Sequence, residues 1–141
     1  MGQLTMSRTE REAFLAGLHV GVLAVPGEGA PVCSPIWYDY EPGGDIHVIL
    51  DPRSRKGRLL EDGLPVTFVV QDESPPYKYV TVEGTASLAG AKTEEHLRPL
   101  ARRYLGEAEG DAYADSSPVE GACRVSIHPT RWMTSDFAKG Q

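Results

Sequence analysis

Arg53, Arg55, Lys56 and Arg58 fall within six residues of a chain whose formal net charge is -6. Cations at that spacing repel one another unless an anion joins them. The segment containing them, Asp51 to Asp62, reads as the start of a short helix. A helix start presents unpaired backbone N–H groups and a partial positive charge, which suit phosphate. Ser54 stands at the N-cap position, where its hydroxyl can serve either the helix or a ligand oxygen. Apolar runs flank the segment, Ile46 to Leu50 before it and Val66 to Val70 after it. The chemistry this favours is a phosphate clamp held between two strands. The alternative is a solvated basic turn, which is what most charge runs are.

No other catalytic constellation is visible. There is no GxSxG, no HExxH and no pair of spaced catalytic carboxylates. His19, His47, His96 and His128 share no metal-ligand spacing; His19 and His47 lie in apolar runs and read as hydrogen-bonded structural residues. Cys33 and Cys123 form no CxxC, so neither zinc nor a disulfide is expected, and Cys33 reads as a buried, inert thiol. No metal site is expected.

Composition bounds the rest. A chain of 141 residues, 40% hydrophobic and 24% charged, suits one soluble globular domain spanning 1–141. Fourteen Lys and Arg against 20 Asp and Glu cannot build a broad basic face, so nucleic acid is not an expected partner. No apolar run approaches the roughly 20 residues that span a bilayer, so no membrane is expected. The first residues lack a signal-peptide pattern, and the expectation is a cytoplasmic protein.

The elements that must position the clamp follow from pattern. Ser7 and Glu10 form an S-x-x-E capping box, opening a helix that ends near Gly17 with Ala13, Phe14 and Leu18 inward. His19 to Val25 reads as a buried strand. Pro26 to Pro31 is a turn; its Gly27-x-Gly29 lacks the third glycine of a dinucleotide fingerprint. Val32 to Tyr40 is a second strand, in which Pro35 implies an edge, a bulge or an opened ladder. Val80 to Leu88 alternates with period two over nine residues, the pattern of an antiparallel strand with one wetter face. Thr93 to Leu105 is helical, with Leu97, Leu100, Ala101, Tyr104 and Leu105 on one stripe. Gly106 to Gly121 is acidic and reads as irregular, Ala122 to His128 as the last strand, and Pro129 to Phe137 as a tail. About six strands with three helices imply a mainly β fold, an antiparallel barrel with peripheral helices.

The order Ser34-Pro35-Ile36-Trp37-Tyr38, Ser54-Arg55-Lys56, Pro76-Tyr77-Lys78-Tyr79-Val80, Arg103-Tyr104-Leu105-Gly106 and Pro129-x-Arg131-Trp132 resembles the split-barrel flavin-binding superfamily. Within it the chain is similar to the pyridoxamine 5'-phosphate oxidase-like proteins, above all the small actinobacterial flavin/deazaflavin oxidoreductases. The resemblance runs from Arg8 to Phe137. It implies a homodimer of split β-barrels with two cofactor grooves at the interface. It also implies coenzyme F420 as cofactor, with FMN as the alternative and haem in a few relatives. Phosphate contact maps onto Ser54, Arg55 and Lys56, and Arg53, Arg58 and Lys78 are further cations for an anionic tail. The ring maps onto Ser34, Pro35, Ile36 and Trp37. Tyr77, Lys78, Tyr79 and Trp132 map onto positions that approach the site or its dimer mate. Where the family often carries a polar residue after the clamp, this chain has Leu59.

The function so implied is F420-dependent hydride transfer to a conjugated, electron-poor small molecule. The alternatives are an FMN flavoprotein, a non-catalytic flavin- or haem-binding dimer, and a structural dimer. Such a cofactor carries the reactive centre itself, which accounts for a chain without recognisable acid–base machinery.

Overall fold

The structure, a computed structural model, describes residues 3–88, 93–117 and 121–140. Seven strands form one antiparallel sheet: β1 (Gly21–Val25), β2 (Val32–Ile36), β3 (Asp39–Tyr40), β4 (Ile46–Leu50), β5 (Pro65–Asp72), β6 (Lys78–Ser87) and β7 (Cys123–Asp136). Their spatial order is β2-β1-β5-β6-β7-β4-β3. The two edge strands, β2 and β3, are separated by only Trp37 and Tyr38. Three trans peptide steps of 3.8 Å keep Ile36 and Asp39 within about 11 Å, so the sheet must curl until its edges meet. The result is the half-closed antiparallel barrel expected from the sequence, split between its edge strands β2 and β3.

The closing corner is pinned by Tyr38. Its ring is fully buried, edge-on to Phe68 at 5.1 Å. Its hydroxyl donates to the Leu15 carbonyl at 2.6 Å, and burial pushes its ionisation well up. Leu15 lies near the end of helix α1 (Arg8–Ala16), whose last carbonyls have no partner within the helix. Arg103 donates to two neighbouring carbonyls, Ala16 at 3.2 Å and Gly17 at 2.8 Å. Tyr38→Phe leaves the Leu15 carbonyl buried without this donor and is expected to cost about 1–3 kcal/mol. Urea unfolding reads this as a lower midpoint at unchanged slope; an unchanged midpoint would remove the corner's role.

Register sorts the residues into two faces. Leu23, Phe68, Val82 and Trp132 lie opposite one another across four strands and point inward. The intervening row, Pro35, Val22, Val69, Thr81 and Met133, points outward. Val22 and Met133 are 37% and 38% exposed on that outer row. β1 is therefore half-buried and alternating, not wholly buried as its composition suggests.

Other expectations are corrected. In α1 the fully buried residue is Leu15, while Ala13 is exposed and Leu18 is 58% exposed beyond the Gly17 cap. The expected strand Val32 to Tyr40 breaks at Trp37–Tyr38 because the chain turns there between the two sheet edges. Pro35 lies in β2, an edge strand, where a residue without an N–H is tolerated. The tail from Pro129 is the second half of β7, paired with β6 past an irregularity at Glu83/Gly84. A side chain at Gly84 would come within 2.5 Å of the His128 carbonyl oxygen. The acidic segment after Gly106 is a second helix, α4 (Glu107–Ser116), folded back on α3 (Thr93–Leu105). Residues 118–120 of that segment lie outside the described residues. Gly110 lets the helices approach, since a Cβ there would sit 2.6 Å from the Arg102 Cα.

Candidate functional site

The basic turn is built by its own backbone. The Asp51 carbonyl accepts from Ser54 N at 3.0 Å and from Ser54 Oγ at 2.6 Å. The same hydroxyl accepts from Gly57 N at 3.1 Å, capping α2 (Arg55–Leu59). Ser54 has thus committed its one proton to the turn, and its hydroxyl sets the geometry of the clamp. Gly57 is required by the same fold-back: a Cβ there would lie 2.3 Å from the Asp51 carbonyl oxygen and 2.7 Å from the Pro52 Cα.

The four cations then divide. Arg53 is taken by Asp51, with Nε to Oδ1 at 3.1 Å and Nη2 to Oδ2 at 3.4 Å, and it holds the Asp51 carboxyl below the usual range. Arg55, Lys56 and Arg58 have no acidic partner among the described residues. Arg55 and Arg58 face a cleft of about 230 Å³, opposite the Gly27–Ala30 loop and Val32 of β2; Glu28 also lines it. Leu59 packs against Gly27, where a Cβ would meet it at 3.1 Å. That contact accounts for the apolar residue at this position.

β2 connects this basic cleft to an apolar one. Val32, Ser34 and Ile36 lie on one side of the strand, Val32 at the basic cleft and Ile36 at a second cleft of about 390 Å³. Between them, the Ser34 hydroxyl oxygen is buried without a hydrogen-bond partner. Buried polar groups are nearly always satisfied, so an orphan beside two clefts is a place for a polar ligand group. A phosphate-bearing planar cofactor suits this set of residues: unpaired cations, an orphaned hydroxyl and an apolar slot.

Trp37 lies at the far end of β2, walling the apolar cleft with Ile36, Ile49, Leu100 and Tyr113. Its ring is stacked on Tyr104, centroids 4.9 Å apart and planes 7° apart. The Tyr104 hydroxyl ties the corner together, accepting from Tyr38 N at 3.0 Å and donating to the His19 carbonyl at 2.6 Å. One face of Trp37 is therefore covered by the protein, and Tyr113 of α4 flanks it at 5.3 Å.

The α3–α4 hairpin that roofs the cleft is clasped by charge. Asp111 accepts from Arg98 at 2.9 Å and from Arg102 at 2.7 and 2.9 Å, and Asp115 accepts from Arg98 at 2.6 Å. The two guanidinium groups draw the Asp111 pKa down to about 2. A carboxylate depressed on folding stabilises above its ordinary range and loses that contribution as pH falls through its folded value. The clasp is expected to be constant from pH 8 to 5 and to open between about pH 4 and 2. Trp37 near-ultraviolet dichroism follows it. Asp111→Asn should remove the acid-side step; a step that persists assigns it elsewhere.

Arg55 and Arg58 of the basic turn therefore meet Val32 of β2 at one cleft, and Ile36 and Trp37 meet Asp51 at the other, whereas Ser34, Ser54 and Lys56 are not among the described residues that line either. Tyr77, Lys78 and Tyr79 do not join them. They open β6, three strands from β2, about 14 Å of sheet away at 4.7–4.9 Å per strand. Tyr77 and Tyr79 are 53% and 40% exposed, and Tyr79 shares the outer face with Thr81. Trp132 faces inward on β7, with the Arg11 guanidinium 4.6 Å above its ring and Tyr40 edge-on at 6.3 Å. His47 Nδ1 meets Ser126 Oγ at 2.9 Å, and burial lowers its pKa. Among the described residues there is no cluster of three metal-ligating side chains, and no helix is long and apolar enough to cross a membrane. Cys33 is exposed, not buried, and both cysteines are unbonded. Tyr113 was hidden from sequence reasoning because α4 is acidic and lacks an apolar period.

A curled antiparallel sheet with a basic turn at its split is the architecture of the split-barrel flavin-binding proteins. The chain belongs to the pyridoxamine 5'-phosphate oxidase family, whose sequence profile matches residues 7–132. Among solved structures it is similar to the conserved hypothetical protein Rv2991 from Mycobacterium tuberculosis, with 24% identity and a TM-score of 0.77 over 99% of this chain and 90% of that one. An F420 reductase is 21% identical, with a TM-score of 0.68 over 86% of this chain and 94% of that one. An FAD- and haem-binding protein from Mycobacterium smegmatis is 17% identical, with a TM-score of 0.70 over 96% and 73%. At these identities the likeness is one of fold. No curated protein matches.

Proposed function

We propose that this protein is an oxidoreductase that binds coenzyme F420 and passes a hydride to a conjugated, electron-poor small molecule. The observation that carries the reading is the set Arg55, Lys56 and Arg58, cations without acidic partners among the described residues, on a turn made rigid by Ser54 and Gly57. When bound, the reduced cofactor supplies the hydride. The chain's own residues hold the phosphate, lay the ring along Ser34 to Trp37 and keep water away beneath the α3–α4 hairpin. The FAD-binding neighbours favour a second reading, a flavin nucleotide such as FMN presenting its phosphate to the same cations. Turnover of reduced F420 with a panel of unsaturated carbonyl compounds tests the enzyme reading. Tight binding with no oxidation of the cofactor by any acceptor would make the protein a carrier.

The working unit in this reading is a homodimer. The outer row Pro35, Val22, Val69, Thr81 and Met133 is a sheet face with exposed apolar side chains, and Tyr79 and Val20 (51% exposed) extend it. A second copy on that face would bring its Tyr77 to Tyr79 towards a groove that one protomer leaves without them. Met133→Glu places a charge on the face and is expected to yield monomers by sedimentation with a weakened cofactor affinity. A dimer that survives both Met133→Glu and Val22→Glu places the interface elsewhere.

A further inference from the structure

We infer that the cleft between helix α1 and the turn at residues 40–44 is a binding site for a small monocarboxylate, held by Arg11 and Tyr40. It lies apart from the basic turn. Gly43 and Gly44 line it and precede β4, whereas Asp51 follows β4. A strand of 5 residues rising about 3.4 Å each puts roughly 17 Å between the two. The site is therefore independent of which cofactor the basic turn takes. The cleft holds about 140 Å³, well under the roughly 300 Å³ at which pockets for larger ligands begin, so its guest has only a few heavy atoms.

Arg11 sets the charge of that guest. Its Nε is buried without a hydrogen-bond partner, and no acidic group pairs with it among the described residues. The guanidinium stands 4.6 Å over the Trp132 ring, which holds it against the barrel wall. A cation partly removed from water without a counter-ion is destabilised, and a guest anion relieves this. The other charges at the cleft are engaged: Arg8 meets Glu12 at 3.3 Å, and His128 meets Asp45, which does not line the cleft, at 2.9 Å. Arg8 and Arg11 against Glu12 leave one positive charge in excess. A monoanion balances it, and a phosphate dianion overshoots it.

Tyr40 supplies a neutral donor. Its hydroxyl accepts from Gly43 N at 3.3 Å, and its own proton has no acceptor among the described residues. Burial raises its pKa, so it remains a donor at neutral pH, and the charges that act on it are those of Glu12, Arg11 and Arg8. A carboxylate offers two oxygens, one for the guanidinium and one for the hydroxyl.

Acetate and its neutral isostere acetamide test this, titrated into isotope-labelled protein at constant ionic strength and followed by NMR. Acetate should shift the Trp132 indole and Gly43 amide signals saturably while the Trp37 indole stays in place, and acetamide should bind about tenfold more weakly or worse. Arg11→Gln should weaken acetate by about tenfold or more, and Tyr40→Phe by about threefold to tenfold. Glu12→Gln removes the one lining carboxylate and should tighten acetate by about threefold or more, a gain that a damaged fold cannot give. The Arg55/Lys56 double alanine variant should bind acetate like the parent. Shifts that do not saturate, equal binding of acetamide, or a Glu12→Gln variant that binds no tighter than the parent would overturn the inference. So would an Arg11→Gln variant that melts like the parent and binds acetate unchanged. Loss of acetate binding in the Arg55/Lys56 variant would place the anion on the basic turn instead and overturn it as well.

Discussion

Replacing Arg55 and Lys56 together by alanine is expected to lower the affinity for coenzyme F420 by roughly two to four orders of magnitude. Each charge-assisted contact to a phosphate oxygen contributes about 1.5–3 kcal/mol, and about 1.4 kcal/mol corresponds to tenfold. The sites are neighbours on one turn, so their effects need not add, and the lower bound is the safer figure. Stability should hardly change. Arg55 is exposed, neither residue has an ion pair among the described residues, and surface substitutions of that kind fall within about 0.5 kcal/mol. Arg53→Ala should do less to binding, because Arg53 already spends its charge on Asp51 at 3.1 Å. A double variant that binds F420 like the parent would return the basic turn to the class of solvated charge runs.

Gly57→Ala is expected to have an effect on binding as large, by a different route. The added methyl would stand 2.3 Å from the Asp51 carbonyl oxygen and within 2.8 Å of two Pro52 backbone atoms. Backbone cannot rotate aside as a side chain can, so the turn must open and the Ser54–Gly57 cap at 3.1 Å must go with it. Overpacking of this kind costs about 1–3 kcal/mol. The loss falls on the turn, while the Tyr38–Phe68 corner is untouched. The expected result is a modest fall in melting temperature with near-complete loss of cofactor binding. If affinity stays within twofold or so, the close approach at Gly57 has no bearing on the clamp.

Much of this was legible in the sequence, for identifiable reasons. The period-two run from Val80 to Leu88 exists because β6 has one face on the core and one facing out, and so it named itself. The capping box at Ser7 and Glu10 is likewise a local signal, and both reciprocal hydrogen bonds are present, at 2.8 and 3.1 Å. The basic turn was visible as charge density, yet which cation is free was not: the Arg53–Asp51 pair is decided by backbone geometry. Ser54 was read as serving either the helix or a ligand, and the fold-back at Gly57 turns its hydroxyl to the turn.

What stayed hidden depended on contacts distant in sequence. Tyr104 stood out only as one of a helical stripe, and its role at the corner comes from Tyr38 and His19, 66 and 85 residues away. α4 has almost no apolar face, so it reads as loop; it is a helix because Arg98 and Arg102 reach across to Asp111 and Asp115. Trp132 looks like a site residue by its place in the motif order. Register with Val82 turns it inward, under Arg11. Tyr77 and Tyr79 are equally suggestive in sequence, and their distance from the basic turn within one protomer follows only from the strand order.

The most direct test of the central claim is equilibrium binding of coenzyme F420 and FMN, side by side, to the purified apo-protein by fluorescence quenching. Saturable, tighter binding of F420 that is lost in the Arg55/Lys56 double variant is the predicted result. Binding of neither cofactor, or binding of either that is indifferent to those two cations, would contradict it.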